Sequence, residues 1–336
     1  MAQKKTIKTQ SRRQTVSSTK SRAKKVSKKS TKLTDLTINH HRSRPIRRST
    51  KRRIRRGFLR RRVVIILSIC LLAISALIMI KVFIIDSETE RTDQVNKVGP
   101  TKEIKTPPKS EIELERKKAE QNLEIVGEML NNSSLSVDNV FKLKVPIYQQ
   151  VYKQSCEAAS LRMALAYRGI KTTDLAILEL IKYNDQPAKK INGEWRWDNP
   201  HQTFVGDKDG DQTKMTGYGV FGEPIAAASE QLGRPTTLQN EVKPEWLALQ
   251  IYAGNPVVLW GVSIKIADAH WKTADGLEIT APMRTHTRLV TGVKGDPLNP
   301  TGFYLNDPGI GMEIYWTTSQ LNTNVAAGIG HSVAIY

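Results

Sequence analysis

A thiol, an imidazole and a carboxylate can carry out nucleophilic chemistry when a fold gathers them, and this chain offers each in few places. Beyond residue 85 its single cysteine is Cys156, in the stretch VPIYQQVYKQSCEAASLRMALAYRG, residues 145–169. With no second thiol in that part of the chain it cannot be half of an intramolecular disulfide there, so it reads as reactive or intermolecular. The thiolate is the attacking form, and two devices favour it: the start of a helix and a nearby imidazolium. SCEAASLRMALAYRG reads as a helix with Ser155 near its start and Gly169 just past its end, which puts Cys156 in the first turn. Four histidines follow residue 85: His201, His270, His286 and His331. His286 opens the strand-like run HTRLVTGV, 130 residues after the cysteine, and a strand gives a catalytic group a rigid base. His331 opens another strand-like run, while His201 and His270 sit in polar or aromatic loop contexts. A histidine base needs an acceptor on its second nitrogen. Asp307, closing GFYLND, is the preferred acceptor; Asp296 lies in the turn before that strand, and Asn306 is a weak substitute. For the oxyanion, the Cys156 N–H could act with Gln150, six residues earlier, or with Gln149 or Gln154. Residue types alone also fit a plainer reading, with Cys156 as a small buried hydrophobe and each histidine structural.

The elements that must position these groups change character along the chain. SEIELERKKAEQNLEIVGEML, from Ser110, follows a helical period with acids in its first turn and Ser110 as cap; it forms a stalk or packs on the C-terminal domain. VFKLKVPIY alternates like a strand. TTDLAILELIKY reads as a helix capped by Thr173 or Thr172, and GEPIAAASEQLG and KPEWLALQIYAG as two more. Residues 184–217 form a long polar segment of the kind that is usually functional or mobile. PVVLWGVSI, HTRLVTGV, GFYLNDP, MEIYWT and HSVAIY are short β-rich runs separated by turns. Helices first and strands late predict an α+β fold with an antiparallel sheet.

With these residues in view, the 145–169 stretch resembles the N-terminal signature of the C39-like cysteine peptidases, papain-fold proteins related to bacteriocin-leader peptidases. FVGD (204–207), YGVFGEPIA (218–226), GNPVVLWG (254–261), HTRLVTGV (286–293), YLNDPGIG (304–311) and GIGHSVAIY (328–336) agree in order. The resemblance covers roughly residues 143–336. It implies a papain-like fold, N-terminal helices packed on an antiparallel sheet. It implies Cys156 as nucleophile, His286 as general base, Asp307 as orienting acid and Gln150 as oxyanion donor, with His331 outside the chemistry. Ser155 stands where the family often has Gly, and Thr285 where Glu is common.

Residues 1–62 hold 24 Lys and Arg against one acid, Asp35, for a net +23, whereas the whole chain is +20; residues 63–336 therefore carry −3. The tail reads as disordered and cytoplasmic, touching anionic lipid headgroups. Nucleic-acid binding is the weaker alternative, because Phe58 is the tail's only aromatic residue for base stacking. Eighteen uncharged residues from Val63 to Ile80, extended to Ile85, are long enough to span a bilayer. Basic residues before them and acids after place the N-terminus in the cytoplasm. A 62-residue n-region is too long for a cleaved signal peptide. The expected organisation is a basic tail (1–62), a transmembrane helix (63–85), an extracellular linker and stalk helix (86–139) and a peptidase domain (140–336). Its partners are membrane lipid and a peptide or protein substrate at the cell surface; oligomeric state is left open. The rival class is a catalytically inactive papain-like surface domain that binds peptides or cell-wall polymers. No cofactor motif is present. DKDGDQ (207–212) spaces three acids as a calcium loop begins, but Gln212 and Tyr218 stand where Gly and Glu are needed. The tryptophans of WRW, with Trp260, Trp271 and Trp316, are read as core more readily than as a substrate groove.

Overall fold

The computed structural model describes residues 106–336 apart from 133–135, 137 and 263. The basic tail, the apolar run 63–85 and the linker as far as residue 105 lie outside the described residues. Among the described residues no helix is long and apolar enough to cross a membrane.

Helix α1 (Lys109–Asn131) starts two residues earlier than a Ser110 cap would place it. Pro108 precedes it and no side chain caps it, so Ser110 does not take that role. The helix packs on the domain: Ala119 and Leu123 join a hydrophobic cluster, and the Arg116 guanidinium donates to the Thr236 carbonyl and to Glu230 Oε1. Strand β1 (Val140–Lys142) takes only the first three residues of the alternating run; Pro146, which has no N–H to donate, comes soon after. Helix α2 (Cys156–Tyr167) is buried on every face from Cys156 to Leu165, and Gly169 leaves it with φ +83°. Helix α3 (Asp174–Leu180) is capped by Thr173, whose hydroxyl accepts the Ala176 N–H at 3.1 Å.

The long polar segment is built rather than structureless. It contains β2 (Lys189–Ile191), β3 (Glu194–Arg196), β4 (Val205–Gly206), a 3-10 turn (Gln212–Lys214) and β5 (Gly217–Gly219). Helix α4 (Gly222–Gln231), β6 (Thr236–Gln239), helix α5 (Pro244–Tyr252) and β7 (Val257–Val262) come after it. Next come β8 (Ala269–Lys272), β9 (Glu278–Ala281), β10 (Thr285–Asp296), β11 (Asn299–Asp307) and β12 (Met312–Thr317). Helix α6 (Thr318–Ala326) and β13 (Ser332–Ile335) close the chain. Helix α6, absent from the expected elements, is set by a capping box between Thr317 and Gln320.

The main sheet runs β12-β11-β10-β7-β13-β6, with β1 also on β10, and all its pairs are antiparallel. A second sheet, β2-β3-β8-β9, stands apart from it. Alternate residues of the central strands feed two cores. Val258, Trp260, Leu289 and Val333 face α2, α3 and α4. Val257, Leu259, Val290 and Ala334 face α5 and α6. Each Val or Leu among them contributes roughly 1.5–3 kcal/mol on burial, and coverage on both faces explains why VVLWGV is apolar without alternation. The fold is α+β on an antiparallel sheet, as the element order predicts.

Candidate active site

The turn that delivers Cys156 is tied down by one carboxylate. Asp174, fully buried, accepts from the Ser155 hydroxyl at 2.8 Å, the Val151 N–H at 2.9 Å and Arg162 Nη1 at 3.2 Å. Cys156 then opens α2 with its side chain 5% exposed. Its thiol donates to Glu157 Oε2 at 3.3 Å. Burial pushes the thiol pKa well above its ordinary value and the Glu157 charge adds to that; hydrogen bonding from Thr287 works the other way. Loss of solvation thus works against the thiolate that a helix start is expected to favour.

His286 and Asp307 come together. Asp307 ends β11 opposite the start of β10, and its Oδ1 takes His286 Nε2 at 2.6 Å and the Gly309 N–H at 2.8 Å. Its other oxygen takes Arg288 Nε at 2.7 Å. Burial alone would raise the Asp307 pKa, but the bonds and charges of His286 and Arg288 outweigh it and hold the carboxyl well below its usual range. Arg288, two residues along the strand from His286 and so on the same face, stacks its guanidinium 4.5 Å from the Trp316 ring centroid. Gly309 is packed against the dyad: a Cβ there would stand 3.2 Å from His286 Nε2 and Cε1 and from Asp307 Oδ1. These groups open onto a cleft of about 620 Å³ whose lining includes Gln150, Gln212, Arg284, His286, Arg288 and Asp307.

Strand alternation divides the candidates. His286 and Arg288 project toward Asp307 and the cleft, while Thr287 and Leu289 project toward α2. The sulfur lies against Thr287, outside the residues that line the cleft, and no hydrogen bond joins it to the His286 ring among the described residues. Gln150 reaches the cleft, held by its backbone N–H on the Pro308 carbonyl at 2.9 Å. Its amide nitrogen, however, donates to the Tyr152 and Lys153 carbonyls, both at 2.8 Å, and its Oε1 is buried without a partner. The rival amides are also engaged, Gln149 with the Gly309 carbonyl at 3.4 Å and Gln154 with the Gly210 carbonyl at 3.0 Å.

The other histidines lie elsewhere. His331 Nδ1 accepts the Gly222 N–H at 3.1 Å, His201 pairs with Glu223 at 2.9 Å, and His270 meets Thr280 at 3.0 Å. Two acids of DKDGDQ turn into their own loop, Asp207 accepting the Asp209 N–H and Asp211 accepting from Thr213, while Asp209 accepts the Lys153 N–H at 3.3 Å. Trp260, Trp271 and Trp197 are core residues, whereas Trp195 is 38% exposed on the second sheet. Sequence reading missed Arg288, Glu157 and Gly309. Arg288 had a signal in its i+2 spacing from His286 on a strand; the other two depend on contacts between distant elements.

A family model described as "Peptidase_C39 like family" matches residues 142–325. Among solved structures, a protein from Bacillus anthracis assigned to the C39-like peptidases shares 23% identity, over 59% of this chain and 98% of its own, with a TM-score of 0.49. The peptidase domain of Streptococcus ComA, a bifunctional ABC transporter of a quorum-sensing pathway, shares 13% identity over 57% and 97%, with a TM-score of 0.34. A double-glycine-motif protease of an AMS/PCAT transporter, solved with leader peptide, shares 15% over 58% and 93%, also with a TM-score of 0.34. No curated protein matches the chain.

Proposed function

The chain belongs to the Peptidase_C39 like family, and from that premise we propose that residues 140–336 form a working cysteine peptidase whose nucleophile is Cys156. The observation that carries the reading is the 2.6 Å bond from His286 to Asp307 at the mouth of the cleft, on the strand that also touches the Cys156 sulfur. Asp307 occupies Nε2, which leaves Nδ1 for proton transfer. The Cys156 proton passes to Nδ1 and the thiolate adds to the substrate carbonyl carbon. The C–N bond breaks as His286 returns the proton to the leaving amine; a water deprotonated by His286 then adds to the acyl carbon, the C–S bond breaks to free the acid, and the proton returns from His286 to the sulfur. The oxyanion falls to the Cys156 N–H, which as a first-turn donor lacks an intrahelical acceptor. Gln150 serves with it by giving up the Tyr152 and Lys153 carbonyls. The substrate is a peptide or protein at the cell surface, reached by a domain anchored through residues 63–85 with the basic tail in the cytoplasm; cleavage of the domain by protease added to intact cells tests that placement.

A second reading, a catalytically inactive surface domain that binds peptides or wall polymers, is favoured by the buried sulfur and its lack of a bond to His286. Turnover of a peptide library by the full chain and by Cys156→Ala separates the two. Loss of at least about a thousandfold on substitution supports the peptidase. Turnover that survives the substitution ends it, and absence of turnover in both with peptide binding retained supports the second reading.

A further inference from the structure

On the α2 side of β10 the thiol has a neighbour that the reaction scheme leaves unused. Glu157 comes directly after Cys156 in the first turn of α2 and is 1% exposed. Its Oε1 accepts the Val220 N–H at 3.3 Å, and its Oε2 accepts the thiol hydrogen at 3.3 Å. No Lys, Arg or His pairs with it among the described residues. The space for it is specific. Gly219 has φ +116°, and a Cβ there would stand 2.5 Å from Glu157 Oε1. The titratable groups facing the carboxyl are Cys156 itself and Tyr218 of β5, whose ionisation burial and the Glu157 charge both oppose.

An acid without a cation, buried beside a thiol, works against the thiolate by charge and holds the thiol proton by hydrogen bonding. Resting on the reading of Cys156 as nucleophile, we infer that Glu157 is a positioning residue that latches it: the carboxyl takes the thiol hydrogen and keeps the sulfur protonated and turned away from His286 until that bond opens. Desolvation pushes the Glu157 carboxyl up to about 7, so the latch sits at its own titration point near neutrality.

The test is the rate of Cys156 alkylation by iodoacetamide across pH 6–9 in the full chain and in Glu157→Gln, with the modified site identified by peptide mass so that Cys70 does not contribute. Gln keeps the shape and an acceptor oxygen but removes the charge. The alkylation midpoint is expected to fall by about one pH unit and the rate at pH 7 to rise about tenfold. An unchanged or slower rate overturns the latch. A merely structural role would shift the unfolding temperature without moving that midpoint. Should Glu157→Gln not fold, the infrared S–H band obtained as parent minus Cys156→Ala decides: a band shifted by hydrogen bonding to carboxylate is expected, and the band of a free thiol overturns the inference. Neither readout needs peptide turnover, so the latch and the peptidase reading fail separately.

Discussion

Two carboxyl groups flank the start of β10 and meet opposite fates. Asp307, on the cleft side, accepts from an imidazole, a guanidinium and a backbone N–H, and is held ionised. Glu157, on the α2 side, accepts from a thiol and one backbone N–H, has no cation among the described residues, and is pushed up to about 7. Both are buried, so depth alone does not decide charge; the partners do. Active sites often assign acid and base roles by pushing two titratable groups apart in this way. Here one strand separates a charge-compensated half from an uncompensated half.

The sharpest way to break the comparison is His286→Ala. It should cost at least about 10⁴-fold in turnover, roughly 5 kcal/mol, while leaving the rate of Cys156 alkylation within a factor of a few. If alkylation collapses as well, the two halves are one unit. Arg288→Met comes next. Removing one partner of a buried ion pair should destabilise the fold by about 3 kcal/mol in urea unfolding. Because the depressed Asp307 pKa gives stability that is present above its ordinary value of 3.8 and lost as pH falls below it, the acid-unfolding midpoint should also move to higher pH. Glu157→Gln probes the opposite sign. The raised carboxyl stabilises fully below its ordinary 4.5, and that stability is lost as pH rises through about 7. The substitution should therefore flatten the fall in stability between those values and gain up to about 3 kcal/mol at pH 8, read by urea unfolding. Gly309→Ala pushes on the His286 ring and should lower kcat about a hundredfold with little change in fold. Thr317→Ala, at the α6 cap far from either carboxyl, should cost about 1 kcal/mol and leave turnover intact.

The separation of the halves shows what a sequence can and cannot carry. His286 and Asp307 were candidates because each opens or ends a β-rich run, but His331 also opens one, and the choice of His286 rested on the resemblance; the structure brings the two side chains within 2.6 Å. Cys156 was legible as the first residue of a helix. Its protonation was not, since that depends on Gly219 and Val220 closing over Glu157 from another element. Spacing alone left Gln149, Gln150 and Gln154 as rivals and the resemblance singled out Gln150 as donor, yet the local turn draws its amide onto the Tyr152 and Lys153 carbonyls. Among the elements, β7 and β10–β13 are evident from composition. The short strands β6, β8 and β9 were not expected, because edge and satellite strands of four residues carry little pattern. The α6 capping box was present in the sequence as T-x-x-Q and was overlooked inside a polar stretch.

The docking of α1 has a mechanical corollary. A helix of 23 residues standing free would lend the domain some 35 Å of lever arm. Clamped to α5 through Leu123 and to the β6 edge through Arg116, it lends none. Its Arg116 contact falls on the Glu230–Thr236 corner, at the far end of the sheet order from β11 and Asp307, so α1 stiffens the edge of the sheet that is remote from the cleft.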